Sequence, residues 1–254
     1  MFLLCMLLNA TTKNVSEWKA ITNVIGEMVE DAMFICNFDG ITFRGMDTSH
    51  VALLDVTFPS TSFEEYEAQT SFFGLRISDL KTILNAAGNS DAISMKIEDS
   101  SKMNITITGS LNMNYNLKLI EKTETNTPIP KLDFKSKISI SSSTLNRIMS
   151  NLNSISEFVT INCNPEQIEF SGKGDIGDGK INLSKNDAEI ENLESYEDSS
   201  SMYSLEYMYQ IIKNIGKETR KIDFEYAKDN PIHLKFEMPS ATKVEYYLAP
   251  KVSD

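Results

Sequence analysis

The fold of this chain is decided by Val15 to Gly45, VSEWKAITNVIGEMVEDAMFICNFDGITFRG, because its apolar pattern returns 127 residues later in Ser142 to Gly172, SSTLNRIMSNLNSISEFVTINCNPEQIEFSG. Both stretches open with apolar residues three and four apart, the spacing of one helix face: Val15, Trp18, Ile21, Val24, Ile25 and Met28, then Leu145, Ile148, Met149, Leu152 and Ile155. Trp18 falls on Leu145, Ile21 on Ile148, Ile25 on Leu152 and Met28 on Ile155. The same offset places Phe34 on Ile161, Ile41 on Ile168, Phe43 on Phe170 and Gly45 on Gly172, where the period has become that of a strand. A register that survives this change of period marks a unit present twice.

The rest of each half continues the parallel. Ile77, Leu80, Ile83 and Leu84 predict a second helix ending near Gly88, and at offset 128 Leu205, Met208, Ile211 and Ile212 predict another ending near Gly216. The four predicted helix segments are 13–25, 76–86, 141–153 and 203–217. Alternating residues such as Ile93, Met95 and Ile97, then Leu111, Met113, Tyr115, Leu117 and Leu119, then Ile222, Phe224 and Tyr226, predict strands. Each half reads as two helices and many antiparallel strands, so the fold class is α+β with two similar domains, 1–120 and 134–254. Between them EKTETNTPIPK, Glu121 to Lys131, has no apolar period and carries Pro128 and Pro130, which predicts an extended linker over 121–133. The polar stretch Asn186 to Ser201 is expected to be an acidic surface loop.

Three cysteines, Cys5, Cys36 and Cys163, are odd in number and never form a CxxC pair, so neither a disulfide framework nor a zinc site is suggested. The apolar opening MFLLCMLLNA has no preceding positive charge and is too short to cross a bilayer, which favours a buried first strand over a leader or a membrane segment. A reducing intracellular compartment fits.

Little supports catalysis. Only His50 and His233 are present, and neither lies in a nucleophile or metal motif. GKGDIGDGK, Gly172 to Lys180, lacks the GK[ST] of a phosphate loop and is followed by the strand pattern of Ile181 and Leu183, so it predicts a turn. Asp39, Asp47 and Asp55 match no metal-binding spacing and read as acidic turns. The chain is expected to be no enzyme and to need no metal or cofactor. An undetected hydrolase built on those Asp turns stays open and would be recognised by metal-dependent turnover. Against 24 Lys and Arg stand 36 Asp and Glu, a formal charge of −12, which taken alone opposes nucleic-acid binding. The distribution differs: the four helix segments hold Lys13, Lys19, Arg76, Lys81, Arg147, Lys213 and Lys217 against Glu17, Asp79 and Glu206, leaving 17 basic and 33 acidic residues elsewhere.

Asp39 to Leu54, DGITFRGMDTSHVALL, resembles the strand-turn-strand signature of the proliferating cell nuclear antigen family. YYLAPKV, Tyr246 to Val252, resembles that family's closing segment, and LNAAGNSD, Leu84 to Asp91, and DIGDGKINLS, Asp175 to Ser184, resemble two more of its segments in the right order. FPSTSFEEYE, Phe58 to Glu67, gives the resemblance an archaeal cast.

The resemblance implies a DNA polymerase sliding clamp: a trimeric ring around duplex DNA, helices inside and sheets outside, loaded by an ATP-driven clamp loader and tethering polymerase, ligase and nucleases. It implies that the seven cations named above contact DNA without reading sequence. It implies subunit contacts through edge strands near 109–117 and 177–185, with Leu111, Met113, Tyr115, Ile181 and Leu183. It further implies a hydrophobic pocket for client peptides at Met46, His50, Val51, Leu53, Ile129, Tyr247, Ala249 and Pro250, with Thr127 standing where the family tends to be apolar. No membrane is involved; the compartment would be the cytoplasm in an archaeon and the nucleus in a eukaryote. The alternative is a clamp-like checkpoint or scaffold subunit of a heterotrimeric ring.

Overall fold

The computed structural model describes residues 6–121 and 127–251. Residues 1–5 of the apolar opening, Cys5 among them, residues 122–126 of the expected linker and Val252 of the closing segment lie outside them. The chain divides into two compact units, unit 1 from residues 1–48, 54–127 and 238–244, and unit 2 from residues 49–53, 128–237 and 245–254.

In chain order the first half contains β1 (Leu8–Thr12), α1 (Val15–Met28), β2 (Asp31–Asn37), β3 (Gly40–Met46), β4 (Ala52–Pro59), β5 (Glu65–Ala68), β6 (Ser71–Arg76), α2 (Ile77–Ala86), β7 (Ala92–Asp99), β8 (Lys102–Thr108) and β9 (Asn112–Lys118). The second half repeats this sequence of elements with β10 (Ser136–Ser141), α3 (Ser142–Asn153), β11 (Phe158–Cys163), β12 (Gln167–Gly174), β13 (Gly177–Ser184), β14 (Ile190–Ser195), β15 (Ser199–Ser204), α4 (Leu205–Ile215), β16 (Lys221–Tyr226), β17 (Ile232–Glu237) and β18 (Lys243–Leu248). Strand order repeats too: β5-β1-β7-β8-β9 and β4-β3-β2-β6 in the first half, β14-β10-β16-β17-β18 and β13-β12-β11-β15 in the second. The two copies have one topology. The offset of 127 is visible in the ladders, where Phe34 faces Phe43 across β2 and β3 and Ile161 faces Phe170 across β11 and β12.

Burial follows the two periods. On α1 the face of Val15, Trp18, Ile21, Val24, Ile25 and Met28 is buried, and Trp18 stacks on Phe58 with ring centres 4.1 Å apart. Gly26 lets α2 approach, since a Cβ there would stand 3.2 Å from Lys81 Cδ. In unit 2, Leu145, Ile148 and Leu152 of α3 and Met208, Ile211 and Ile212 of α4 are buried, over Phe170, Phe224, Tyr203 and Tyr226. Each such side chain taken from water contributes about 1.5–3 kcal/mol. The buried phenols are not left unpaired: Tyr203 donates to Asn230 O at 2.9 Å, and Tyr226 lies within reach of Ser199 O at 3.2 Å and Ile161 O at 3.3 Å. Burial pushes both phenols well above the usual tyrosine range.

None of the four helices starts with a side-chain cap bond, and strands hand over directly to α2, α3 and α4. Their first amides donate to neighbouring backbone instead, Ile77 N to Glu30 O, Ser142 N to Arg220 O and Leu205 N to Glu157 O, each at 2.9 Å. Several expectations need correction. The helices run 15–28, 77–86, 142–153 and 205–215, so Lys13, Arg76 and Lys217 flank them and Glu27 joins α1. Asn186 to Ser201 is no loop: it contains β14 and the start of β15. The reason is that β14 lies at an edge and buries only Ile190 and Leu193 against β10, which leaves its composition polar. Of the apolar opening, the described strand takes only the end, Leu8–Thr12. Of the Gly172–Lys180 segment only Asp175 and Ile176 form the turn; the rest continues β12 and β13, with Gly174 facing Gly177, whose φ is 140°.

Candidate functional site

Three groups of residues have the geometry of binding surfaces. The first is the exposed helix faces. Within α1 to α4 stand four cations, Lys19, Lys81, Arg147 and Lys213, and four acids, Glu17, Glu27, Asp79 and Glu206, so the helices themselves carry no net charge. The positive balance expected there depended on Lys13, Arg76 and Lys217 at their borders. Glu17 is only 5% exposed, however, and takes its hydrogen bonds inside unit 1 from the backbone N of Ser240 at 3.3 Å and from the Ser240 hydroxyl. Several cations are partly engaged: Lys19 donates to Ala87 O at 2.6 Å, Lys213 lies 5.3 Å from the Tyr209 ring centre, and Lys13 meets Glu64 at 3.5 Å in a solvent-exposed pair worth little. The remaining exposed positions are short and polar, among them Ser78, Asn85, Ser143, Ser150, Asn151 and Gln210.

The second group is a pair of sheet edges. β9 pairs with β8 and β13 with β12, and among the described residues each ends its sheet. Met113 and Tyr115 on β9, and Ile181 and Leu183 on β13, share one face of their strands and are half-buried, with polar neighbours exposed between them. Leu111, expected in the same strand, stands just before β9 and is 67% exposed. Sequence reading missed the ground beside β13: a hollow of about 510 Å³ lined by Ile155, Phe158, Lys173 and Ile176. The isolated apolar Ile176 in the Asp and Gly-rich turn was its one signal, and it is exposed.

The third group surrounds the end of β18 in unit 2. Ala249 N donates to Val51 O at 2.9 Å and Lys251 N to Met202 O at 2.7 Å, which fixes the course of YYLAPK past the 49–53 segment. His50 is exposed with a φ of 58°, Val51, Ala249 and Pro250 are half-buried, Leu53 and Tyr247 are buried, and Ile129 is 39% exposed. Met46 is half-buried at the end of β3 and belongs to unit 1. Behind Tyr247 lies His233, which no pattern in the sequence assigns to this surface: the rings stack with centres 4.1 Å apart and planes 10° from parallel. His233 Nε2 stands 2.9 Å from Glu245 Oε2, the oxygen that also accepts the Tyr247 hydroxyl at 3.0 Å. Its Nδ1 faces Glu225 Oε2 at 3.6 Å.

No metal-like cluster accompanies these surfaces: among the described residues no three His, Cys, Asp or Glu side chains are grouped to hold an ion, and Asp55 is tied to Arg44 Nη2 at 2.7 Å. No described helix is long and apolar enough to cross a membrane.

Comparison with known proteins follows the two-unit architecture. A family model described as the N-terminal domain of proliferating cell nuclear antigen matches residues 7–125, and one described as its C-terminal domain matches residues 128–251. A protein named DNA polymerase sliding clamp from Nitrosopumilus maritimus is 37% identical over 97% of this chain and 99% of its own length. One of the same name from Cenarchaeum symbiosum is 35% identical over 98% of this chain and 100% of its own. The crystal structure of PCNA from Thermococcus kodakaraensis superposes with a TM-score of 0.90 at 20% identity, covering 96% of this chain and 100% of that one, which establishes the shared fold. Matched along both units by the family's two domain models and over nearly full length by these relatives, the chain belongs to the proliferating cell nuclear antigen family.

Proposed function

We propose that this chain is a subunit of a DNA polymerase sliding clamp, a ring that encircles duplex DNA and keeps replication and repair enzymes on it. The observation that carries the reading is its 37% identity, over 99% of that protein's length, to an archaeal DNA polymerase sliding clamp. The edges add physical support. A subunit that offers the free edge of β9 from one half and that of β13 from the other joins its neighbours head to tail, and such a heterologous contact closes into a ring when the rotation allows. Ile155 and Ile176 beside β13 then gain a covering that a lone subunit lacks.

The working parts are binding surfaces. Arg76, Lys81, Arg147 and Lys217 meet phosphates, with Lys13, Lys19 and Lys213 contributing less because of their existing partners. Phosphate contacts of this kind carry no sequence information and weaken with salt, which suits a ring that slides. His50, Val51, Leu53, Ile129, Tyr247, Ala249 and Pro250 of unit 2 form the pocket for a short apolar and aromatic client peptide, whose extended backbone pairs with exposed main chain nearby. Polymerase, ligase and nucleases are clients of that pocket, and an ATP-driven clamp loader opens the ring. The protein acts by holding, without turnover of its own, in the cytoplasm that its archaeal likeness suggests.

Topology tests this reading. Protein loaded onto a nicked circular duplex by its clamp loader should stay with the DNA through a high-salt gel-filtration column. It should be released when a restriction enzyme linearises the circle. Retention on the linear duplex, or none on the circle, would overturn it.

A further inference from the structure

His233 is a closely held titratable side chain of unit 2 outside the surfaces that the sequence predicts. It is 5% exposed and held from four directions. From β18, Tyr247 stacks on one face and Glu245 accepts at Nε2. From β16, Glu225 faces Nδ1; from β17 itself, Lys235 reaches the same Glu225 Oε2 at 2.7 Å; from β10, Lys137 approaches Glu225 Oε1 at 3.4 Å. Phe134, between the linker and β10, tilts toward the ring at 5.9 Å. A carboxylate only accepts, so the ring donates Nε2–H to Glu245, and the neutral ring leaves Nδ1 bare toward Glu225.

Tyr247 has little freedom of its own in this arrangement: its plane is set by the imidazole beneath and its hydroxyl by the carboxylate that the imidazole also holds. We propose that His233 is a positioning residue of the client-peptide pocket, its neutral imidazole fixing the Tyr247 ring that the peptide packs against, so that the pocket is formed in the neutral state and loosened by acid. The inference rests on the peptide-pocket reading above.

The direction follows from the neighbours. Protonation places an N–H on Nδ1 opposite Glu225 Oε2, an oxygen already taken by Lys235. The charged ring then competes with that lysine and is drawn toward β16, away from parallel contact with Tyr247. Burial and the nearby Lys235 ammonium oppose the charge, outweighing Glu245 and Glu225, and hold His233 below the ordinary histidine range. Sign and window agree: the neutral state prevails above the ordinary value of about 6.5, and the site changes as pH falls below it.

The chain has two histidines, which makes the test clean. The ring protons of both histidines can be followed by NMR, and those lost in His233→Phe belong to His233. The probe is a fluorescent peptide with glutamine, an aliphatic residue, two consecutive aromatics and no histidine, read by anisotropy at matched salt. In the native protein its Kd should rise at least about threefold from about pH 7.5 to about pH 5.5, with the His233 midpoint below about 6.5. His233→Phe, which keeps a flat ring under Tyr247, should flatten the profile, whereas His233→Ala should weaken binding throughout. A midpoint at or above the ordinary value, or a His233→Ala protein with the parent's affinity and profile, overturns the proposal. Should His233→Ala fail to assemble, the midpoint and the His233→Phe profile still decide. Ile129→Asp separates the two readings: loss of binding there with no effect at His233 sinks this inference alone, while unchanged binding in Ile129→Asp sinks the pocket itself.

Discussion

Glu17 shows how far a residue's role can depart from its place in the sequence. In the first turn of α1 it counts as an acid opposing DNA, yet it is buried, bonded by Ser240 from a turn 223 residues away. That turn is tight: Met238 N donates to Thr242 O at 2.9 Å, Ala241 takes a φ of 66°, and the Ser240 hydroxyl lies 2.7 Å from that of Thr242. A carboxylate near a helix N-terminus is favourably placed, and its removal takes the acceptor from the half-buried Ser240 amide and leaves the Ser240 hydroxyl with Thr242 alone. Glu17→Ala should therefore lower stability by about 1–3 kcal/mol. Urea unfolding should show a lower midpoint with an unchanged slope; an unmoved midpoint would mean that water replaces the carboxylate at no cost. No local pattern announces such a partner, and the same holds for His233, whose stack on Tyr247 and bond to Glu245 join side chains on two different strands.

At the scale of elements, what was legible is what periodicity encodes. The four helices and the β2–β3 and β11–β12 ladders were readable because large apolar residues repeat at fixed spacing through both halves. Their borders were not, since three helices begin on backbone hydrogen bonds and the side chains at their N-caps, Arg76, Ser141 and Ser204, make no capping bond. β14 escaped because an edge strand needs few apolar residues, and two buried ones in an acidic run look like a loop. The edge strand β9 was easier, for it alternates cleanly. If β9 and β13 close the ring, Tyr115→Ala should shift trimer toward monomer at micromolar concentration. An anchor of this kind is worth about 2 kcal/mol or more, roughly thirtyfold in affinity. Light scattering measures it, and an unchanged mass would direct attention to another surface. The hollow beside β13 had no such pattern behind it, because its lining comes from the end of α3, the start of β11 and the β12–β13 turn.

For the whole molecule the decisive quantity is charge by location. A chain of formal charge −12 meets DNA through few cations, and the true helix borders leave the helices themselves balanced. The negative remainder repels DNA from other faces over a screening length of only about 8 Å at physiological salt. If the helix faces meet the duplex as proposed, the contact surface is lean, with hydroxyl and amide side chains standing where more lysines would bind harder. Replacing Lys13, Lys81, Arg147 and Lys213 together with alanine should weaken DNA association and reduce the logarithmic salt slope by about 0.9 for each phosphate that is no longer neutralised. Lys13, already paired with Glu64, and Lys213, resting on Tyr209, should contribute least. A quadruple variant with the parent's slope would place the duplex against other residues.

One consequence of the core of unit 1 reaches beyond binding. Trp18 is the single tryptophan of the chain, and it is stacked on Phe58 inside that unit. Its emission is therefore a private signal of unit 1, whereas far-ultraviolet circular dichroism sums over both units. Melting curves recorded by the two methods will coincide if the halves unfold as one and separate if they do not. The native chain thus carries, without any label, a built-in gauge of how cooperatively its two copies of one topology hold together.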